Sequence, residues 1–389
     1  MKSNNLLTTI CLMIMCIVVV SCNSAHTPES TAPAEDVDRF KSYPIDVNAS
    51  KTDFAEVVES VELMRLEETE ASLLSYIDRI YEYQGGYVFR SGRNGEIFNY
   101  AKDGRYLSKI NRKGDGPEEY SNITSLWLEK GQICVYTSGK SIVNCYDFQG
   151  QAQRYVKLET NGSQVEPFAG GYVMDKNGRA TRDTLLYHVV ALNKKFEIDS
   201  LLLPFTSENQ IGISTTVNGF APYKSGLSYL RTMTDTIYYL DEEGIAPMIH
   251  FDFGNDWLWK EEGLISNGQE AVNAMQNRGK TWNLNALVHE RWAYMVYYTS
   301  FQNFEHVLLD RYSGTTHTLN LNIDPEERYN LSATQWMGDR LLMTIESEKV
   351  ASFLAELEDS QWQFRDGTNL EAIESSEHRV LMWVKFKEK

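Results

Sequence analysis

The chain has 389 residues, of which 42% are hydrophobic and 12% are aromatic, and its formal net charge at pH 7 is −17. This length accommodates one large domain together with a targeting segment. The negative charge argues against nucleic acids and anionic membrane surfaces as partners, because like charges repel one another.

The first 21 residues are typical of a secretion signal. Lys2 supplies a short positive region, and residues 6–20 form an apolar stretch that is too short for a comfortable membrane span. The segment ends in Val19-Val20-Ser21-Cys22. This order resembles the lipobox of bacterial lipoproteins, which implies that Cys22 becomes the first residue and carries diacylglycerol and palmitate. An ordinary signal peptide that ends in cysteine by chance is the alternative.

Residues 22–50 comprise Cys22 and a stretch rich in Ser, Thr, Ala, Pro and Glu, which predicts a flexible tether between a lipid anchor and the folded domain. Asn23 rather than aspartate follows Cys22, which by similarity to other lipoproteins implies transfer to an outer membrane. We therefore expect a lipid-anchored protein of the cell envelope with the membrane as one partner. Its orientation, towards the periplasm or the cell surface, stays open.

Residues 51–389 contain six units in which an apolar run breaks at a tight turn and restarts. The units follow one another at intervals of roughly 40 to 65 residues. A repeat of this length is typical of a β-propeller, whose blades are antiparallel sheets of four strands. The first turns of the six units lie at Gly86, Gly131, Gly171, Gly226, Arg291 and Gly338.

The first two units show their four strands most clearly, because turn residues separate the apolar runs. The strands of the first unit are predicted at residues 75–83, 87–91, 96–101 and 106–112. Those of the second unit are predicted at residues 123–128, 132–136, 142–148 and 153–158.

The sixth unit is divided between the two ends of the folded region. Residues 333–346 supply its first two strands and residues 379–386 its third. Residues 57–66 have strand-forming sequence but no unit of their own, so we assign them as its outermost strand. This pairing closes the ring and removes an open sheet edge. The predicted fold class is therefore all-β, a six-bladed β-propeller whose N-terminal strand closes the last blade.

Two insertions interrupt the repeats. Residues 254–288 include a short helical stretch near residues 271–277. Residues 348–358 carry apolar side chains at i, i+3, i+4 and i+7, which predicts an amphipathic helix over the rim of the last blade.

Cys134 and Cys145 lie equally far from the centre of the turn Ser138-Gly139-Lys140-Ser141. A two-residue hairpin with glycine first suits a type II′ turn, and it places the two cysteines opposite each other on adjacent strands. The envelope permits oxidation, so the pair can form a disulfide. Two small buried thiols that do not bond are the alternative.

The loop after the first unit is the best local candidate for ligand contact, because it crosses from one blade to the next and carries many charges. Its candidate ligand-binding residues are Arg112, Asp115, Glu118 and Tyr120. The alternative is a brace between blades, in which glutamate caps backbone N–H groups and tyrosine packs on the neighbouring blade.

Trp257, Trp259 and Trp282 lie in the irregular insertion. Exposed aromatic faces stack on sugars and other flat apolar ligands, so we include these residues as candidates. The alternative is a small satellite core that anchors the insertion.

The sequence contains no catalytic or metal-binding pattern that identifies a reaction. Gly-x-Ser-x-Gly, a P-loop, HExxH and a dinucleotide-binding fingerprint are all absent. We therefore expect no cofactor and no metal site, and the catalytic residues of any activity stay unknown. A metal held by single residues from several blades would leave no such pattern.

Three segments resemble the six-bladed β-propeller lipoproteins of Gram-negative anaerobes, a family related in plan to NHL-repeat propellers. The resemblance spans about residues 40–387 and implies the fold and the envelope location more than an activity. Its segments are residues 54–67, the loop Gly114-Asp115-Gly116-Pro117-Glu118-Glu119-Tyr120 and residues 374–387.

Two functions remain open at this point, because a propeller scaffold supports many activities. We expect a binding or scaffold lipoprotein whose ligand is a glycan, a peptide or an envelope protein. The alternative is a hydrolase or lyase that acts on a polysaccharide or another envelope polymer, with residues gathered around the axis. Charged groups with shifted pKa values at the axis would favour the enzyme.

Overall fold

Six β-sheets are arranged as blades around one axis in the computed structural model, which describes residues 38–92, 95–178, 185–206, 219–260, 268–322, 327–365 and 367–388. Residues Asp36–Lys389 form one compact unit. The first strands of four of the six neighbouring pairs of blades contact one another, and these first strands surround the axis. The predicted all-β, six-bladed propeller is confirmed.

The N-terminal segment contributes strands to three different blades. Its elements are β1 (Lys41–Pro44), β2 (Lys51–Asp53), α1 (Phe54–Val57) and β3 (Val58–Met64).

Blades 1 to 3 each consist of four consecutive antiparallel strands, and the strands predicted for the first two units are confirmed. Blade 1 contains β4 (Ile77–Tyr83), β5 (Gly86–Ser91), β6 (Glu96–Ala101) and β7 (Tyr106–Ile110). Blade 2 contains β8 (Ser125–Glu129), β9 (Gln132–Thr137), β10 (Ile142–Tyr146) and β11 (Ala152–Lys157). Blade 3 contains β12 (Gln164–Phe168), β13 (Gly171–Asp175), β14 (Tyr187–Leu192) and β15 (Ile198–Pro204).

Blades 4 and 5 are separated by the insertion. Blade 4 contains β16 (Phe220–Tyr223), β17 (Gly226–Leu230), β18 (Thr236–Asp241) and β19 (Gly244–Asp252). The insertion includes 3₁₀ turns at Gly254–Asp256 and Leu258–Lys260 and then α2 (Gly268–Asn277), which confirms the predicted helical stretch. Blade 5 contains β20 (Asn283–Val288), β21 (Trp292–Tyr298), β22 (Phe304–Asp310) and β23 (Thr316–Asn320).

Blade 6 combines C-terminal strands with β3. Its C-terminal elements are β24 (Ser332–Met337), β25 (Arg340–Glu346), a 3₁₀ turn at Ser347–Lys349, α3 (Val350–Ala355), a 3₁₀ turn at Asp359–Gln361, β26 (Trp362–Phe364), α4 (Leu370–Glu374) and β27 (Arg379–Phe386). The pairing of β3 with β27 confirms that an N-terminal strand closes the last blade. However, β3 is not outermost, because β26 pairs with it in parallel on the outside.

The N-terminal segment also extends blades 4 and 5. β1 pairs in parallel with β19, and β2 pairs in parallel with β23, so both blades gain a fifth strand. Tyr43 in β1 and Ile45 just after it are 2% and 6% exposed. The prediction of a flexible tether as far as residue 50 therefore extends too far, since the chain is already part of the propeller at β1.

Apolar side chains fill the interfaces between blades. Each pair of adjacent blades encloses a buried apolar cluster, including the pair formed by blades 6 and 1. All five residues of β10 are buried because neighbouring blades cover both faces of its sheet, whereas the outer strand β11 is mostly exposed. Val350, Phe353, Leu354 and Leu357 join the cluster of blade 6, which confirms the predicted apolar helix face.

Side chains of the inner strands add hydrogen bonds between blades. The carbonyl of the Gln335 side chain accepts from the Ile80 backbone N–H over 2.8 Å, and its amide nitrogen donates to the Ile80 carbonyl over 2.9 Å. This pair of bonds connects blade 6 to blade 1. Comparable bonds connect other neighbours: Val165 N–H to Ser125 Oγ, Gly219 N–H to Gln164 Oε1, and Trp336 Nε1–H to Leu287 carbonyl.

Cys134 and Cys145 face each other in the register of β9 and β10, as predicted. Both residues are buried, and their sulfur atoms are bonded. The predicted type II′ turn is wrong, because four residues, Ser138 to Ser141, connect the strands and the positive φ falls on Ser141 and not on Gly139.

The two faces of the propeller differ in their loops. The ab/cd face carries the turns between the first and second and between the third and fourth strands of each blade. The crossing face carries the remaining turns and the connections from one blade to the next.

Candidate functional site

A salt bridge crosses the axis of the propeller. A β-bulge interrupts β4 between Ile77 and Ile80, and Arg79 lies within it. Arg79 Nη1 is 2.6 Å from Glu166 Oε1 of blade 3, and its Nη2 donates to the Phe220 carbonyl of blade 4. One guanidinium group therefore connects three blades.

The space beside this salt bridge is small. On the crossing face, Arg79, Tyr81 and Glu166 border a cavity of about 30 Å³, which has room for about two water molecules. Burial raises the pKa of the Glu166 carboxyl, and the charge of Arg79 opposes that rise. General acids have raised pKa values too, but this cavity does not admit a sugar ring or a peptide unit. The axis at this level therefore connects blades and does not hold a polymer.

A wider cavity opens on the ab/cd face, at the seam between blades 1 and 6. Its volume is about 530 Å³, which is within the range of clefts that hold small ligands. Its lining includes Glu82 of β4, Met337 of β24, Arg340 of β25 and Arg365 after β26. We call this cavity the seam cleft.

Glu62 of β3 holds two guanidinium groups at the wall of the seam cleft. Glu62 Oε1 is 2.7 Å from Arg340 Nη1, and Oε2 accepts a 2.8 Å hydrogen bond from Arg365 Nε. The Arg365 guanidinium also lies over Trp383, with its Cζ 3.5 Å from the ring centroid, and donates to the Tyr87 hydroxyl over 3.2 Å. These contacts fix both guanidinium groups beside the same carboxylate.

Glu62, Arg340 and Arg365 together carry one net positive charge. Burial raises the pKa of Glu62, but the hydrogen bond from Arg365 and the charge of Arg340 outweigh it, so its pKa lies below the usual value. Glu62 is therefore ionised at neutral pH and balances one of the two arginines. The side chains of Arg340 and Arg365 are 27% and 28% exposed, so a ligand in the cleft can reach them. Glu82 at the rim is exposed and adds a separate negative charge.

The predicted ligand-binding loop lies between blades 1 and 2. Tyr120 is fully buried, and its hydroxyl accepts a 3.1 Å hydrogen bond from the Arg112 backbone N–H. Arg112 Nε donates to the Gly150 carbonyl in a turn of blade 2 over 2.8 Å. These contacts favour the brace interpretation for Arg112 and Tyr120.

The other two candidates in this loop point away from a shared pocket. The Asp115 side chain is 99% exposed and forms an ion pair with Lys140 over 3.3 Å. Glu118 is exposed, and its backbone carbonyl accepts a 2.8 Å hydrogen bond from the Tyr146 hydroxyl. None of these four candidates lines the cavity beside Arg79 or the seam cleft.

The three tryptophans of the insertion pack inside it or against the adjacent blades. Trp257 and Trp282 are 6% and 3% exposed, and Trp259 Nε1 donates to the Trp282 carbonyl over 2.6 Å. Trp282 and Met275 belong to one apolar cluster with α2, against which Trp259 packs. This burial favours the satellite core over a ligand-binding surface.

Two further expectations from the sequence are lipid attachment at Cys22 and the lack of a metal site. Cys22 lies outside the described residues. In the part of the chain that the structure describes, no three His, Cys, Asp or Glu side chains are grouped so as to hold a metal ion.

Arg79, Arg340 and Arg365 are not among the site residues predicted from the sequence. Arg79 had a usable signal, because it is a charged residue inside the apolar run of an inner strand. Arg340 and Arg365 had no such signal in the sequence. Their common partner Glu62 is remote in sequence, and it lies beside them only in the closed ring.

Six sheets around a shared axis, closed by the pairing of β3 with β27, define this protein as a six-bladed β-propeller. Residues 42–385 match the family described as Domain of unknown function (DUF4934), and the chain belongs to this family. No curated protein has a significant sequence match to the chain.

Solved structures share the fold at low sequence identity. A protein described as exported, from Bacteroides fragilis NCTC 9343, is 15% identical with a TM-score of 0.69, and the match covers 90% of this chain and 100% of that one. A member of the DUF4221 family from Bacteroides vulgatus ATCC 8482 is 12% identical with a TM-score of 0.49, covering 85% and 97%. Virginiamycin B lyase from Staphylococcus aureus is 10% identical with a TM-score of 0.41, covering 74% and 85%. The first likeness supports the fold, and the other two are too distant to support an argument.

Proposed function

We propose that this protein is a lipid-anchored propeller of the bacterial outer membrane that binds a ligand in the seam cleft and does not transform it. The ligand is a glycan, a peptide or a segment of an envelope protein. The observation that carries the proposal is the seam cleft, an open space of about 530 Å³ with charged groups fixed at its wall. Such a combination of volume and converging polar groups is typical of binding sites.

The sequence of the first 22 residues supports the lipid anchor. The apolar stretch and Val19-Val20-Ser21-Cys22 resemble a lipoprotein signal, and Asn23 favours the outer membrane. The similar Bacteroides fragilis protein is described as exported, which agrees with this location. No helix among the described residues is long and apolar enough to cross a membrane.

The start of the described chain is held firmly by the propeller, which suits a domain that is tethered at its N-terminus. Asp38 accepts a 2.6 Å hydrogen bond from the Tyr223 hydroxyl and forms ion pairs with Lys224 and Arg311. Burial raises the pKa of Asp38, but these partners outweigh it and place its pKa below the usual value. The chain therefore enters the fold at a fixed point on the ab/cd face.

Substitution of Cys22 tests the anchor. In a bacterium that processes lipoproteins, the unaltered protein should enter the membrane fraction and incorporate an alkyne-labelled palmitate. Cys22→Ala should remove both properties, because the acylated thiol is absent. Cys16→Ala, a change of the same kind within the signal, should retain both. Membrane attachment of Cys22→Ala would disprove the lipid anchor.

Ligand-dependent stability tests binding in the seam cleft. The mature chain, residues 22–389 with Cys22→Ala, is screened by thermal unfolding against envelope glycans and peptides. A ligand at about 100 times its Kd should raise Tm by about 3 °C through mass action. Glu82→Trp, which fills the rim of the cleft, should abolish the shift, whereas Lys130→Trp on the same face should not. A shift that survives Glu82→Trp would place binding elsewhere.

A further inference from the structure

We infer that the seam cleft binds the free carboxyl terminus of a peptide, with Arg340 and Arg365 holding the carboxylate. This inference rests on the proposed function, since it identifies the ligand of the same cleft.

The two guanidinium groups have donors to spare. A guanidinium group has five N–H donors. Among the described residues, Arg340 has one polar partner, Glu62, which its buried Nη1 faces as an ion pair without hydrogen-bond geometry, so the donors left for a ligand are those on Nε and Nη2. Arg365 uses Nε–H for Glu62 and one hydrogen of Nη1 for the Tyr87 hydroxyl, which leaves the other hydrogen of Nη1 and both hydrogens of Nη2. The unused donors belong to side chains that are partly exposed and line the cleft.

The chemistry of these donors matches a carboxylate. A planar guanidinium fork binds the two oxygens of a carboxylate in parallel, and charge-assisted bonds of this kind are stronger than neutral ones. Glu62 pairs directly with both arginines and neutralises only one of them, and Glu82 lies at the rim with no ion pair to either, so the guanidinium groups themselves still attract a second carboxylate. Trp383 and Glu62 already hold Arg365 in place, which lowers the entropy that binding must overcome.

Three features favour a peptide terminus over a polysaccharide. The exposed carboxylate of Glu82 at the rim would repel each of the successive carboxylates of a polyuronate, whereas a peptide brings only its one terminal carboxylate into the cleft, where the two arginines attract it. Trp383 is 2% exposed beneath Arg365, so its face is closed to a sugar ring. Met337, which is half-buried in the lining, offers an apolar contact for the last side chain of a peptide.

Peptides that differ only at the C-terminus test the inference. Fluorescein-labelled hexapeptide pools that end in Ala, Leu, Phe or Lys are prepared as free acids and as C-terminal amides, and their binding to the mature chain is followed by fluorescence polarisation. At least one free-acid pool should bind saturably, and its amide should bind at least about tenfold more weakly, because a charge-assisted pair is lost. Hexagalacturonate and a neutral hexasaccharide are added as unlabelled competitors of the peptide, to test for binding of an acidic and a neutral glycan.

A matched pair of variants assigns the effect to the cleft. Arg340→Gln should weaken the free-acid pool at least about tenfold and bring the acid and amide to similar affinities. Arg328→Gln, at an arginine of comparable exposure that pairs with Glu305 in blade 5, should leave both affinities unchanged. Should Arg340→Gln lower Tm, the comparison of acid with amide on the unaltered protein decides alone, since it involves no substitution.

Several results would overturn the inference. Equal affinity for acids and amides would do so, as would preferential binding of hexagalacturonate. Binding of a neutral glycan that Glu82→Trp abolishes, without binding of any peptide, would overturn the inference and leave the proposed function standing. If Glu82→Trp weakens the binding of none of the tested ligands, both proposals fail.

Discussion

Arg79 and Glu166 form their salt bridge where both side chains are largely buried, at 9% and 14% exposure. Removing two charges from water costs several kcal/mol, and their mutual attraction offsets this only when the geometry is good. The Phe220 carbonyl satisfies a further donor of Arg79 and brings in a third blade. We therefore interpret the salt bridge as a device that sets one arrangement of blades 1, 3 and 4, and not as a source of large net stability.

A buried histidine makes stability depend on pH. His306 is 4% exposed, and its Nδ1 is 2.5 Å from the Tyr294 hydroxyl. Burial, together with the charges of Arg328 and Lys51, lowers its pKa from 6.5 to about 3. The pKa of His306 is lower in the folded protein than in the unfolded chain, so folding disfavours protonation of this imidazole. The contribution of His306 is therefore complete above about pH 6.5 and is lost as the pH falls towards 3.

His306→Asn tests this pH dependence, because asparagine keeps an acceptor for Tyr294 and does not titrate. From pH 7 to pH 5, the unaltered protein should lose about 2 kcal/mol more unfolding free energy than His306→Asn. The measurement is urea unfolding of the mature chain at both pH values. From pH 7 to pH 8 the two proteins should change equally. Equal losses between pH 7 and pH 5 would contradict the prediction.

The candidate site could be predicted from the sequence only in small part. Arg112 and Tyr120 were recognisable as a constrained loop, but their glycine- and charge-rich pattern suits a brace as well as a binding loop. Burial of Tyr120 distinguishes the two only in the structure. Glu62 and Arg365 come together through ring closure, a contact between distant segments that leaves no local pattern.

At the scale of strands and hairpins, the sequence predicts much more. Turn residues mark the strands of blade 2, and the centre of one turn gives the register in which Cys134 faces Cys145. The strands β1 and β2 were missed because they have only four and three residues. Strands this short show no alternation of apolar and polar residues, and they form only because β19 and β23 offer edges to pair with.

The hairpin of β9 and β10 gives a prediction about oxidation. The two cysteines enclose a short loop, with a sequence separation of 11, so their disulfide should contribute about 3 kcal/mol by restricting the unfolded chain. A reductant should therefore lower Tm of the mature chain once it has reached the buried sulfur atoms. The variant with both Cys134→Ala and Cys145→Ala should not respond to reductant. Thiol labelling after unfolding counts the free cysteines, and two labelled thiols without reductant would contradict the disulfide.

At the scale of the whole molecule, stability depends on joining the two ends of the folded chain. β3 lies between β27 and β26 in blade 6, and Val58, Val61 and Leu63 are fully buried in the cluster shared by blades 5 and 6. Without β3, the outer edge of β27 would present unpaired backbone N–H and C=O groups. β1 has a lesser role, because it adds a fifth strand to a blade that already has four.

Two N-terminal truncations separate these roles. A chain that begins at residue 51 loses β1 and the burial of Tyr43 and Ile45, so it should be less stable by about 3 kcal/mol but still unfold in one transition. A chain that begins at residue 67 also loses β2 and β3, so the ring cannot close and the cooperative transition should disappear. Urea unfolding followed by both tryptophan fluorescence and circular dichroism distinguishes these outcomes, because coincident curves indicate one transition. If the chain from residue 67 unfolded like the chain from residue 51, ring closure through β3 would not be what holds the propeller together.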